Sequence, residues 1–222
     1  MTAATSSTNA SATPSATPSD TARRRLERAV LVTGNLDKLA EAIRICGFSL
    51  RHEEIDLPEI QSSDLEEVAR EKALGAWRRL QQPVIIDETS LELDALNGFP
   101  GPLVKFMLDA VGPEGIAGTA AALADSGASA VCLLVHYDGR DMVFGRGRTE
   151  GRLVLPARGA GGFGFDTVFE PEGELLTFAE LGDMGKDEIG HRGRAWRALV
   201  AELAQGGEGR SSADTARRGA RR

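Results

Sequence analysis

The segment Gly159–Pro171, "GAGGFGFDTVFEP", decides between two α/β architectures. A dinucleotide-binding turn leaves a strand and opens a helix directly, so that the helix N-terminus meets a pyrophosphate. Here the glycines miss the GxGxxG spacing, and "FDTVFEPEGE" follows, which is strand-like with a proline and cannot open a helix. A Rossmann unit is excluded. A loop able to grip something flat between Phe163 and Phe165 remains, with Asp166 as an acceptor. Taken alone, the same residues read more simply as a Gly-rich turn with two core phenylalanines.

Outward from this segment, "AVLVTGN" is a short buried strand ending in a turn, and "LDKLAEAIRICG" is a helix. Leu36, Leu39, Ala40 and Ile43 form its apolar stripe and Gly47 stops it. Ser63 and Glu66 have capping-box spacing for a second helix, whose stripe is Leu65, Val68, Ala69, Ala73, Ala76 and Leu80. "PVIIDET" is a second buried strand. Helices over about 102–111 and 113–124 precede a hairpin turning at Asp138–Gly139, and a last helix spans about 193–204. Alternating strands and helices followed by antiparallel strands predict an α/β domain around a mixed sheet.

The ends carry a different composition. Residues 1–20 are nearly all Ala, Ser, Thr and Pro, and the chain after Gln205 turns to Gly, Ser and Arg. Neither can bury enough apolar surface to order itself, so residues 1–28 and 205–222 are expected as disordered tails around a domain at 29–204. The net charge of −7 divides into +2 for residues 1–28, +3 for 206–222 and −12 for the body. An acidic body with basic fringes makes a poor duplex nucleic-acid binder, which needs a basic face, and leaves only weak binding through the Arg-rich ends. No apolar run approaches the ~20 residues of a membrane helix, and no signal-like segment occurs, so a cytoplasmic location is expected. Cys46 and Cys132 lie far apart without a CxxC and read as buried free thiols.

Several polar residues interrupt this pattern. "TGNLDK", Thr33–Lys38, leaves a strand for a helix N-terminus, where phosphate binds readily, and Lys38 adds a point charge. An ordinary strand–turn–helix accounts for it equally. Lys72 falls on the apolar stripe of its helix, and Lys105 is the single charge in "PLVKFML". Each snorkels to an edge or points into a cleft; the pair favours a shared anionic ligand. Asp87 and Glu88 end a buried strand, followed by Thr89. With Glu59 they offer hard oxygen ligands for Mg²⁺ beside phosphates, or a base for a water. A solvated acidic turn is the alternative. Lys186, His191 and Arg192 in "KDEIGHRGR" offer donors for a base carbonyl, or form a basic surface turn.

These segments, in this order, resemble the ITPase (Ham1-like) family of noncanonical purine nucleoside triphosphate pyrophosphatases. The resemblance runs through "LVTGNLDK", "DLPEIQ", "DETSLELDALNGFPGPLVKF", "GAGGFGFDTVFEP" and "KDEIGHRGRAW" and spans about 30–203. It implies a Mg²⁺-dependent hydrolase that splits ITP, dITP or XTP into the monophosphate and pyrophosphate by attack of water on the α-phosphorus. It also implies a homodimer and a curved mixed sheet between two lobes with the active-site cleft between them. Carried over, Thr33, Gly34, Asn35, Leu36, Asp37 and Lys38 hold the phosphates with Lys72. Glu59 and Glu88 bind Mg²⁺, beside Asp87, and Glu88 activates the water. Thr89 and Lys105 contact substrate. Phe163, Gly164, Phe165 and Asp166 clamp and read the purine, and Lys186, His191 and Arg192 complete the pocket.

Two positions depart from the family pattern. Glu88 stands where Asp is usual, which moves the carboxylate by about one C–C bond, and ~1 Å misplacements can cost 10²-fold in rate. Gly190 stands where Ser is usual, which removes a hydroxyl beside the base. These departures motivate one alternative, a relative recruited to a different nucleotide in secondary metabolism. A nucleotide-binding module with weakened catalysis is a second, against which the carboxylates and lysines all being present counts.

Overall fold

A computed structural model describes residues 19–205. Three long strands carry the architecture: β3 (Val84–Leu93), β5 (Gly127–Tyr137) and β6 (Met142–Leu153). They pair antiparallel, with Val84 opposite Tyr137 and Tyr137 opposite Met142. The short β1 (Val30–Val32) lies parallel to β3 and to β2 (Arg51–Glu53), and β7 (Phe169–Pro171) closes the other edge. β4 (Pro100–Gly101) pairs with the end of β3. The result is a seven-stranded sheet in the order β2-β1-β3-β5-β6-β7, with β4 off this path; its mixed α/β character is as the sequence pattern predicts.

Helices cover both faces. Alternation along the strands sends Leu31, Ile85, Cys132 and Leu134 toward α2 (Leu36–Cys46) and α6 (His191–Ala204). It sends Val30, Val84, Ile86, Leu133 and Val135 toward α3 (Leu65–Leu80). A third cluster gathers the far halves of the same strands, through Leu91, Leu93 and Ala130, against α4 (Val104–Ala122), Phe169 and Phe178. The long strands thus run through two apolar bodies. The middle of β3 lies between them.

The tight seat of α6 on β6 comes from two glycines. A Cβ on Gly145 would stand 2.4 Å from the Ala195 carbonyl oxygen, and one on Gly147 2.0 Å from that of His191. Only glycine lets the helix backbone lie this close to the strand.

Several expectations need correction. Helix α1 (Asp20–Arg28) occupies the last nine residues of the segment read as a tail. Its polar face hid Ala22 and Leu26, which are fully buried against α6 and the β1 side of the sheet. Residues 1–18 and 206–222, the rest of the two expected tails, lie outside the described residues. The second helix is capped by Asp64, whose side chain accepts from the Glu66 and Glu67 N–H groups, so Ser63 is not its cap. In α2 the buried positions are Glu41, Ala42 and Cys46, whereas Leu36 and Ala40 are exposed. β3 continues five residues past Glu88, because "SLEL" keeps period-two alternation. The helix α5 (Phe178–Ile189) has no counterpart in the sequence reading, although Thr177 and Glu180 form a reciprocal capping box. α4 breaks at Gly112 (φ 69°) before Pro113, which matches the two helices expected there.

Candidate active site

Successive residues of β3 point to opposite faces, and this sorts the site. Asp87 and Thr89 face α2 and α6; Glu88 faces α3. Asp87 is almost fully buried and receives Arg192 Nε at 2.8 Å and Nη2 at 3.3 Å, Lys38 Nζ at 3.1 Å, and a weak contact from Cys132 Sγ at 3.8 Å. Burial works to raise its carboxyl, but the Arg192 and Lys38 cations hold it far below the ordinary range. Its oxygens are committed. The expectation that Asp87 ligates metal is corrected: it fixes two cations instead.

Arg192 continues the chain of charges. It donates to Thr89 Oγ1 at 2.8 Å and to Glu41 Oε2 at 2.5 Å. Glu41 Oε1 takes Lys186 Nζ at 2.6 Å, and the same ammonium reaches Asp166 Oδ2 at 2.5 Å. Lys38, Asp87, Arg192, Glu41, Lys186 and Asp166 therefore alternate in sign, and three cations balance three carboxylates. Burial pushes on Glu41, but Arg192 and Lys186 outweigh it and keep the carboxyl low; at Asp166 burial wins and raises it. Glu41 is the site residue the sequence reading missed. Its signal was an acid beside Ala42, on the face the true stripe buries.

On the α3 face, Glu88 Oε1 is buried, 2.7 Å from Lys72 Nζ, yet makes no aligned hydrogen bond. Glu59 Oε1 lies 2.5 Å from the same ammonium. Burial works to lower the Lys72 pKa, and Glu88 and Glu59 outweigh it and raise it. Lys72 is therefore a cation and not a base. The hydrogen bond from Lys72 leads in lowering the Glu59 carboxyl, with smaller help from Lys105 and Lys38. Lys105 itself is exposed. Among the described residues no group of three or more His, Cys, Asp or Glu side chains is arranged around a metal position. Mg²⁺ commonly uses one or two carboxylates and takes the rest from phosphates and water. Glu59 and Glu88, two carboxylates converging on one cation, fit such an ion.

The turn Thr33–Lys38 sits at the N-terminus of α2, but part of its donor set is taken. Asn35 Oδ1 accepts from the Asp37 and Lys38 N–H groups, and Thr33 Oγ1 accepts from the Asn35 N–H. Among the described residues the Gly34 and Leu36 N–H groups have no partner. The exposed Leu36 and Asp37 side chains lie at the rim.

In the Gly-rich loop the two phenylalanines separate. Phe163 is half-buried, with Lys186 Nζ 4.4 Å and Arg192 Cζ 5.4 Å from its ring centre. Phe165 is buried against Phe169 and His191. It is a core residue, so the expected two-sided clamp is corrected to one ring. Gly164 (φ 64°) turns the chain between them. His191 is also core: its ring packs beside Phe165 and Phe178, and burial, with Arg192 and Lys186, drives its pKa far down. The imidazole is neutral, and its Nδ1 is buried without a hydrogen-bond partner among the described residues. The first N–H groups of α6, by contrast, carry no side-chain cap.

Gly190 joins α5 to α6, and a Cβ there would stand 2.4 Å from the Lys186 carbonyl oxygen. This junction has no room for the serine that the family pattern carries.

A family model described as the Ham1 family matches residues 29–202. The chain is 41% identical over 181 residues to inosine triphosphate pyrophosphatase 2 of Trypanosoma cruzi, covering 79% of this chain and 92% of that protein. It is 39% identical over 173 residues to the inosine triphosphate pyrophosphatase of Tuber melanosporum, covering 76% and 92%. The structure of a HAM1 protein from Coxiella burnetii superposes with a TM-score of 0.68 at 28% identity, covering 80% of this chain and 98% of that one. A dITP/XTP pyrophosphatase of Mycobacterium abscessus gives 0.61 at 30% identity, covering 77% and 97%.

Proposed function

The chain belongs to the Ham1 family, and from that membership we propose that it hydrolyses noncanonical purine nucleoside triphosphates to the monophosphate and pyrophosphate. The observation that carries the chemistry is Glu88: a carboxylate whose buried oxygen is ion-paired with Lys72, on the ammonium it shares with Glu59.

In this reading the triphosphate lies along the Gly34 and Leu36 N–H groups, Lys38 and Lys72, and Lys105 meets it at the open rim. Glu59 and Glu88 hold Mg²⁺, which when bound supplies electrostatic neutralisation of the phosphates. Glu88 orients a water toward the α-phosphorus and takes its proton. The new P–O bond forms as the bond to the β-phosphate oxygen breaks, and pyrophosphate leaves with its charge balanced by the two lysines. Charge balance alone does not select a base.

At the other end the purine stacks on the free part of Phe163. The uncapped N–H groups of α6 meet the carbonyl at C6, and a site built for a carbonyl leaves its donors unpaired against the amine of adenosine. Thr89 and Arg192 stand between base and phosphates, with Arg192 locked by Asp87 and Glu41. Asp166 and Lys186 back the ring. A homodimer in the cytoplasm belongs to the same proposal; light scattering on the purified chain checks the assembly.

The test is pyrophosphate release from ITP, XTP, GTP, ATP and dTTP, with and without Mg²⁺. Fast turnover of ITP and XTP that needs the ion supports the reading. Preference for a canonical nucleotide favours the recruited relative, and tight binding without turnover favours the binding module.

A further inference from the structure

Between α2 and α5 run two ion pairs of opposite polarity. The inner one, Glu41 to Lys186, belongs to the site. The outer one, Arg44 to Asp187, does not. Arg44 Nε lies 2.7 Å and Nη2 3.1 Å from the two Asp187 oxygens, a bidentate fork, and Nη1 lies 3.5 Å from Asp183 Oδ2. Glu41 and Arg44 are three residues apart, on one helix face, and their partners are adjacent in sequence.

The segment carrying these partners has little else to hold it in place. Gly182 (φ 67°, ψ 177°) interrupts α5, so residues 183–189 are not a rigid continuation of Phe178–Leu181. Within 183–189 the only buried side chain is Lys186, and Met184 is 84% exposed. No apolar side chain of the segment is fully buried, Ile189 being half-buried. Its far end is tied by backbone acceptors, with Thr149 donating to the Ile189 carbonyl and Arg197 to those of Asp187 and Glu188. Nothing in those bonds sets the distance to α2. Ion pairs do.

We infer that Arg44 is a positioning residue: by clasping Asp187 and Asp183 it fixes the 183–189 segment against α2 and so places Lys186 at the base pocket, in register with the phosphate turn that begins the same helix. This rests on the function proposed above. Arg44 touches no substrate in it.

The consequence is an asymmetric defect. Pyrophosphate engages the phosphate turn and its lysines alone, whereas a whole nucleotide also needs the Lys186 end. Arg44→Ala is therefore expected to raise KM for ITP about tenfold, leave the inhibition constant of pyrophosphate within about twofold, and change kcat less than KM. Arg44→Lys, which keeps the charge and loses the fork, falls between. Asp187→Asn repeats the pattern from the other side, and covers the case in which Arg44→Ala does not fold. In the double variant the two effects do not add, because they remove the same contact. Unchanged KM, or equal weakening for ITP and pyrophosphate, overturns the inference while the proposed function stands. Absence of ITP turnover by the wild-type protein overturns the proposed function, and the inference with it.

Discussion

Glu88 and Phe163 are where single side chains carry the chemistry. Glu88→Gln keeps shape and hydrogen bonding but removes the acceptor for the water's proton. The expected result is a fall in kcat of at least ~10²-fold with nucleotide affinity retained, checked by pyrophosphate release against calorimetric binding. Retained kcat would remove Glu88 from the reaction. The two phenylalanines give a sharper contrast, because the structure separates them by burial. Phe163→Ala is expected to raise KM ten- to a hundredfold, since stacking on an aromatic ring is worth ~1–3 kcal/mol, with little change in melting temperature. Phe165→Ala removes a core ring and is expected to cost ~3–5 kcal/mol of stability. Denaturant titration of both proteins, alongside their KM values, tests the division. Similar effects from the two would return Phe165 to the pocket.

At the scale of elements, junctions decide more than propensities do. Gly190→Ser would press a Cβ against the Lys186 carbonyl oxygen. Because Lys186 and Arg192 flank that junction, the variant is expected to lose ~1–3 kcal/mol, the usual range for overpacking, and to raise KM. A melting temperature equal to wild type would show that the junction relaxes freely. The sequence was legible here wherever local rules acted alone. The α3 stripe, the Gly47 stop and the Asp138–Gly139 hairpin are each set within a few residues. Reading failed where a partner far in sequence wins. Ala40 lost its place to Glu41 because Arg192 and Lys186 await it. Asp87 and Glu88 read as one acidic end, yet strand alternation turns them to opposite helices. That period was visible in the sequence; the helices on each face were not.

For the whole molecule, pH and the N-terminal helix test how the parts hold together. His136 is buried beneath Arg25 of α1, and burial, then the Arg25 charge, lowers its pKa to about 4. Unfolding restores an ordinary value near 6.5, so the unfolded chain binds the extra proton between those values. Stability is full above about 6.5 and falls toward pH 4, by up to ~1.4 kcal/mol per pH unit for each such group. His191 acts in the same direction. Asp166 and Asp187, whose carboxyls burial raises, oppose this just above the usual carboxylate range, so the slope is clearest between about 6.5 and 5.5. Urea midpoints across that range should fall with acid, and His136→Leu should flatten the slope. A pH-independent midpoint would mean that the buried rings stay accessible. Leu26→Ala, in the segment expected to be a tail, is expected to cost ~2–5 kcal/mol, which the same titration measures at pH 7.

By itself the sequence determined the mixed α/β class, the exclusion of a dinucleotide turn, the ordered motifs of the family, and the residues from which a site is built. These follow from periodicity, turn chemistry and residue type, all of them local. Only the tertiary structure decided which of those residues meet. It put Phe165 and His191 in the core, joined Asp87 to Arg192 across 105 positions, and brought Glu41 into the site. The reason is burial. A charge taken from water needs a partner within a few ångströms, and which partner is near depends on how β3, α2, α5 and α6 pack, a property no single stretch of chain contains.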